Sequence, residues 1–126
     1  MISPKYFTFE EANALLPTIE PLMGDLLEKR ARAARMAREI QPLLADVRVD
    51  VGGVIPSELA VAFADIEALI AQIQSFGCMV KDLNGGLLDF LSERNGRDVY
   101  LCWRYGESTI SHYHELHTGF NGRRPV

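Results

Sequence analysis

Apolar residues recur at helical spacing along the first two thirds of the chain and at alternate positions along the last third, with the change near Gly77. Thr8-Phe9-Glu10-Glu11 is a capping-box sequence, in which the Thr hydroxyl and the second Glu each satisfy an amide of the other. Tyr6, Phe7 and Phe9 flank it as packing contacts. The helix it opens is expected to be short, because Pro17 lacks an amide hydrogen and disfavours a helical Leu16. Thr18 then caps a longer helix. In it Ile19, Met23, Leu26, Arg30, Ala33, Ala37, Ile40, Leu44 and Val47 follow one another at steps of four and three, the coiled-coil-like seam of a helix packed at a shallow angle. Pro42 lies off this seam and predicts a kink or a broken last turn.

Val47 to Pro56 carries Gly52-Gly53 and reads as a loop. Ser57 is expected to cap a second helix with Leu59, Phe63, Ile66, Ile70, Ile73 and Gly77 at the same steps. Two seams around one glycine-rich loop predict an antiparallel helical hairpin, with Ile40 near Phe63, Ala37 near Ile66 and Ala33 near Ile70. The first helix is about 45 Å long at 1.5 Å per residue and the second about 30 Å. The overhang, roughly Ile19 to Leu27, must be covered by the C-terminal third, by the short first helix or by a second subunit.

Beyond Gly77, Asn95-Gly96 between LLDFLSER and RDVYLCWR predicts a two-residue type I′ hairpin. Such a turn fixes the register. Ser92 faces Val99, Phe90 faces Leu101 and Leu88 faces Trp103 on a face apolar enough to lie on the helices. Asp89 faces Cys102 and Leu91 faces Tyr100 on the other. Asn84-Gly85 is expected to repeat the device and pair Cys78–Leu83 with Gly86–Leu91. Ser108 to Leu116 is read as a returning strand with Ile110, His112 and His114 on the Trp103 face and Ser111, Tyr113 and Glu115 beside Cys102. A slip of one residue inverts that assignment. Read as a helix, the same stretch gathers Ile110, Tyr113, His114 and His117 instead. The fold expected is α+β, a long antiparallel helical hairpin packed on a small antiparallel β-meander of three or four strands. It forms one domain over 1–126, helical over about 8–77 and β over about 78–126.

Composition narrows the function. The 126 residues are 48% hydrophobic and 24% charged, as in ordinary globular proteins, and the formal charge of −4 gives no general attraction to nucleic acid or acidic lipid. No apolar run approaches the roughly 20 residues that span a bilayer. The N-terminal stretch lacks the basic segment and apolar run of a secretory signal. Two cysteines are too few for a disulfide framework, so a reducing, cytoplasmic setting with free thiols is expected.

KYFTFEEANALLP (5–17), VKDLNGGLLDF (80–90), VYLCWRYGE and HELHTGFNGRRPV together resemble the family catalogued as domain of unknown function 2203. The resemblance covers nearly the whole chain. It is most specific in the terminal block, where Tyr100, Cys102, Trp103, Gly106, Glu107, His114, Glu115, Gly119, Phe120, Gly122, Arg123 and Pro125 match. His112 and His117 stand outside the family's pattern. The resemblance implies a small cytoplasmic bacterial or archaeal protein and implies no activity.

The chemistry-bearing residues gather late in the chain. His112, His114, Glu115 and His117 form H-x-H-E-x-H, in which alternate His on a strand share a face and can ligate one metal. His114, Glu115 and Cys102 are the ligand set considered first, with Asp89 as a cross-strand alternative and a divalent metal such as zinc as the cofactor such a set would take. The plain alternative is that His114 and Glu115 hydrogen-bond within the sheet or to Arg123 and Arg124. Cys102 beside a base such as His114 would be a nucleophile; a buried core thiol next to Trp103 is the commoner fate of a free Cys. Glu107, Glu115 and Asp89 are candidates for an acid/base pair. The tail Gly119–Pro125 offers amides and guanidinium groups to an anion, or else Phe120 anchors it and Arg123 and Arg124 stay solvated or pair with carboxylates. Arg32, Arg35 and Arg38 partly share one side of the first helix, which without interleaved aromatics reads as a solvated face rather than an RNA site. Arg30, on the seam, either snorkels or marks where a second chain docks.

Two function classes result. One is a non-enzymatic interaction module in which the overhanging end of the first helix supports a homodimer. The other is a small metal-binding protein or metal-dependent hydrolase that uses Asp89, Cys102, Glu107, His114, Glu115 and Arg123. The sequence assigns no reaction and no small-molecule ligand.

Overall fold

The computed structural model describes the backbone of residues 5–46 and 56–126 and the side chains of residues 5–40 and 56–126. The capping box forms as the sequence dictates. The Glu11 amide donates to Thr8 Oγ1 at 3.0 Å, and the Thr8 amide donates to Glu11 Oε1 at 2.8 Å. The helix it opens, α1 (Phe9–Asp46), is one continuous element of 38 residues, not the short helix and restart expected at Pro17 and Thr18. Pro17 and Pro21 both sit on its exposed side. An interior Pro costs about 3 kcal/mol. Burying Leu16, Ile19 and Met23 on the opposite side offsets it at about 1.5–3 kcal/mol each. Pro42 does not end the helix either. The predicted loop over 47–55 and the seam position Val47 lie outside the described residues, as does the side chain of Leu44.

The second helix, α2 (Ser57–Gln74), starts with Pro56 rather than Ser57 at its cap, and no side chain satisfies that end. It runs back along α1, so that Ala33 and Ala37 share a groove with Phe63 and Ile66. Burial along the seam tapers with distance from the sheet. Ile19, Met23 and Leu26 are 0% exposed, Ala33 is 3%, Ile66 is 9% and Phe63 is 43%. The outer half of the hairpin has no third layer among the described residues, which leaves Ala37 and Phe63 exposed and corrects their expected place in a closed seam. Leu69, off the predicted seam, is buried instead. The Arg30 guanidinium donates to Asn84 Oδ1 in the turn below.

Five strands form one antiparallel sheet in sequence order: β1 (Met79–Asp82), β2 (Leu87–Arg94), β3 (Arg97–Arg104), β4 (His112–Glu115) and β5 (Arg124–Pro125). Asn95 and Gly96 take φ of 53° and 79°, the left-handed pair a type I′ turn requires. Every expected β2–β3 partner is found, from Arg94 opposite Arg97 to Leu87 opposite Arg104. Leu88, Phe90, Leu101 and Trp103 lie at 5% exposure or less in one core with the helices. Phe7 sets its ring edge-on to Phe90 at 5.2 Å, and its amide donates to the Leu91 carbonyl at 2.7 Å where β1 no longer covers β2. Tyr6 and Phe9 stay exposed.

Three departures matter for the outer face of the sheet. Asp82 pairs with Leu87, as an Asn84-Gly85 turn requires, but the next bridge joins Val80 to Leu88, so Lys81 is bulged out of the ladder. Gly86, not Gly85, takes the positive φ, at 67°. The returning strand is real but slipped by one residue: Cys102 pairs with His112 and Tyr100 with His114. His112 and His114 therefore share a face with Cys102, while Tyr113 and Glu115 turn to the Trp103 side, the reverse of the expected assignment. The slip has a physical source in the connection over 105–111. There Ile110, 0% exposed, donates its amide to Asn13 Oδ1 on α1 at 2.8 Å and takes up the extra length. The fifth strand is a further addition, made by the C-terminal tail along β4.

The C-terminal third thereby covers the helical overhang. A Cβ built on Gly24 would lie 2.8 Å from the Tyr105 hydroxyl, and one on Gly86 would lie 2.8 Å from Tyr105 Cβ and 3.1 Å from Leu27 Cδ1. Gly86→Ala is expected to destabilise by about 3 kcal/mol, adding left-handed strain to overpacking. Urea unfolding checks it, and a loss below about 1 kcal/mol contradicts the close approach.

Cys78, 1% exposed, points its thiol at the Ile73 carbonyl at 3.5 Å, and burial pushes its pKa up to about 11. A raised folded value means the native chain keeps a proton that the unfolded chain loses above about pH 8.5. Stability is full below that pH and declines as pH rises towards 11. Chemical unfolding at pH 8 and pH 10.5 is expected to show the decline, and Cys78→Ala to reduce it. An identical pH dependence in the variant contradicts the burial argument.

Candidate metal centre

Strands backed by helices on one side commonly leave the other to water. Here the outer face buries three polar side chains. Asp89 is 5% exposed, His114 is 3% and Cys102 is 1%. Asp89 and Cys102 are direct cross-strand partners. The His114 ring reaches diagonally across β3, over the small Cys102 side chain, to set Nε2 at 3.1 Å from both Asp89 carboxylate oxygens. One donor atom from each of the three lies within 4.8 Å of the others. Tetrahedral zinc with these atom types spaces its ligands about 3.3–3.6 Å apart, and the Asp89–His114 pair at 3.1 Å lies near that spacing.

What covers the cluster is the segment after β4. Gly119, at φ 65°, leads into a 3-10 turn at Phe120–Gly122. The Arg123 guanidinium lies 4.6 Å from the Phe120 ring centroid and donates to both carboxylate oxygens of Glu107 at 2.9 Å. Glu107 also accepts the Arg104 amide, and its carbonyl accepts the Trp103 indole N–H at 2.9 Å. Glu107 and Arg123 thus fasten the tail to the sheet beside Cys102. Arg123 Nε is buried without a partner among the described residues.

The protonation pattern of His114 follows from its neighbours. Nδ1 lies 2.8 Å from the Glu115 carbonyl oxygen, which can only accept, so Nδ1 carries the hydrogen. In the neutral ring Nε2 is then a bare lone pair, and it faces two carboxylate oxygens that are themselves acceptors. A proton or a metal ion placed between them would satisfy both. Cys102 sits beside this gap. Burial first, then the nearby Asp89 charge, pushes its thiol up to about 12, so it is protonated at neutral pH unless a cation displaces the proton. It is no free nucleophile as it stands.

Of the residues expected to act together, the structure unites Asp89, Cys102 and His114, with Glu107 and Arg123 alongside. Glu115 is not among them. Its carboxylate lies on the helix-facing side, 2.9 Å from the Arg97 guanidinium, and only its carbonyl reaches the cluster. It drops out of the ligand set because neighbours on a strand point to opposite faces. His112 holds the Ser111 hydroxyl at 2.9 Å through Nδ1, and His117 is exposed in the following turn, so H-x-H-E-x-H does not converge. Arg32, Arg35 and Arg38 are exposed. Lys81, which the sequence pattern did not single out, stands over the Tyr100 ring at 5.4 Å. Its signal was the glycine pair at 85–86, which left the β1–β2 turn ambiguous.

Fold and site together define an α+β protein whose helical hairpin backs a five-stranded antiparallel sheet with an Asp–His–Cys cluster buried on the outer face. The chain belongs to the family described as "Uncharacterized conserved protein (DUF2203)", whose model matches residues 5–126. No curated protein and no solved structure matches the chain. No helix among the described residues is long and apolar enough to cross a membrane.

Proposed function

We propose that this is a zinc-binding protein of the reducing cytoplasm, its ion held by Asp89 carboxylate, Cys102 thiolate and His114 Nε2. The observation that carries the reading is His114 Nε2 set at 3.1 Å from both Asp89 oxygens while Nδ1 lies 2.8 Å from a backbone carbonyl, the outer hydrogen bond that metal-ligating His habitually makes. One thiolate and one carboxylate neutralise a divalent ion, which suits a site so deeply buried. A thiolate with an imidazole favours zinc over magnesium or calcium. Three protein ligands leave a fourth position open, as in catalytic rather than structural zinc sites. Elemental analysis of protein purified without an affinity tag is expected to give about one zinc per chain, with loss of thermal stability on chelation. Protein without metal, and indifferent to added zinc and to chelator, would mean that a proton fills the gap.

A second reading, self-association, is supported by the outer half of the hairpin. Val61 on α2 is 60% exposed in a cleft of about 440 Å³ whose rim carries Arg32 on one side and Glu58 and Asp65 on the other. A two-fold axis through such a patch sets Arg32 of each chain against the acids of the other, which makes the surface self-complementary. Sedimentation at micromolar concentration is expected to show a dimer that Val61→Asp dissociates. A monomer throughout removes the reading.

A further inference from the structure

Beside the three ligands lies a cavity of about 160 Å³ lined by Lys81, Tyr100, Leu116 and Phe120, with Asp89 and His114 at its floor. At roughly 30 Å³ per water this is room for about five waters, too little for a nucleotide or a peptide side chain with its backbone. Its walls include two aromatic rings and a leucine. The one cationic side chain among the described lining residues is Lys81, whose ammonium stands over Tyr100. That position is the work of the bulge in β1. The ladder breaks between Val80 and Asp82, and the residue set free of pairing is aimed across the outer face.

We propose that this cavity is the binding site for a small oxyanion, a monocarboxylate or an ion of phosphate size, which takes the open coordination position of the metal and is held at its other end by Lys81. The inference rests on the zinc reading, since the metal supplies half of the recognition. Size, charge and wall chemistry agree on the class of ligand. The volume admits a few heavy atoms, and the ammonium and the metal both favour negative oxygen. The Tyr100 and Phe120 rings give the cavity apolar walls, against which both interactions gain strength over those in bulk water. Asp89 is the one acid at the floor; with its charge spent on the metal it does not repel the ligand.

Cobalt in place of zinc makes the test direct. The full chain loaded with cobalt is expected to show thiolate-to-cobalt charge transfer and tetrahedral d–d bands, and acetate is expected to shift the d–d bands saturably. Phosphate forms a second arm, and the tighter of the two identifies the source of the oxyanion; acetamide, of the same shape but neutral, is expected to do nothing. Lys81→Gln, at an exposed bulge, leaves cobalt binding intact and weakens acetate about tenfold, the lower end for losing a bond to a charged group. Cobalt bands unmoved by acetate and phosphate, or an acetate affinity unchanged in Lys81→Gln, overturn this inference and leave the metal centre standing. Absence of cobalt bands overturns the metal centre itself, and the oxyanion site with it.

Discussion

Replacing His114 by Ala is expected to destabilise the metal-free protein by about 3–5 kcal/mol, the cost of leaving a buried carboxylate without its cation. Asp89 is 5% exposed, on the central part of the sheet, and its two oxygens have His114 Nε2 as their partner at 3.1 Å. Water entering from the adjoining cavity is neutral and does not replace a cation beside the carboxylate. Asp89→Asn in the same background is expected to recover part of the loss, because the charge that caused it is gone; a double-mutant cycle isolates that term. With zinc present the gap between wild type and His114→Ala should widen as zinc is raised, since only the wild type gains from binding. Urea unfolding with and without zinc measures all of this. A loss below about 1 kcal/mol without metal would show that Asp89 does not depend on His114.

Trp103→Ala is expected to cost about 4 kcal/mol, near the upper range for core truncations. Trp103 is 0% exposed, its ring meets Tyr105 edge-on at 6.1 Å, and its N–H is satisfied by the Glu107 carbonyl. Truncation opens a cavity at the junction of sheet and helices and frees the loop that carries Glu107. Leu116→Ala, at a residue 50% exposed on the other side, is the control and should fall within about 0.5 kcal/mol of wild type. Thermal or urea denaturation distinguishes them; comparable losses at both positions would contradict the assignment of the two faces.

The parts of this fold that could be read from the chain are those where a local signal fixes geometry. Asn95-Gly96 sets a two-residue turn, and such a turn leaves no freedom in the eight pairs that follow, so Asp89 opposite Cys102 was legible. The capping box at Thr8 was equally local. Pro17 misled because its cost depends on which side of the helix faces water, and that side is decided by what Ile19, Met23 and Leu26 pack against. The register of β4 was out of reach for a similar reason. Its connection is set by Ile110 binding Asn13, a partner 97 residues away, and one residue of slip carries His114 from one face to the other. The Asp89–His114 contact, on which the site turns, follows from that slip. Glu115 was attractive because it neighbours His114 in sequence, and on a strand sequence neighbours are the residues that cannot share a face. The short β5 strand had no periodic signal at all.

The central claim is that one divalent ion joins Asp89, Cys102 and His114, and X-ray absorption at the zinc edge of the protein as purified tests it most directly. One sulfur at about 2.3 Å with two or three nitrogen or oxygen ligands at about 2.0–2.1 Å is the result expected, with the sulfur lost in Cys102→Ser. A spectrum without sulfur, or one unchanged when Cys102 is replaced, would contradict it.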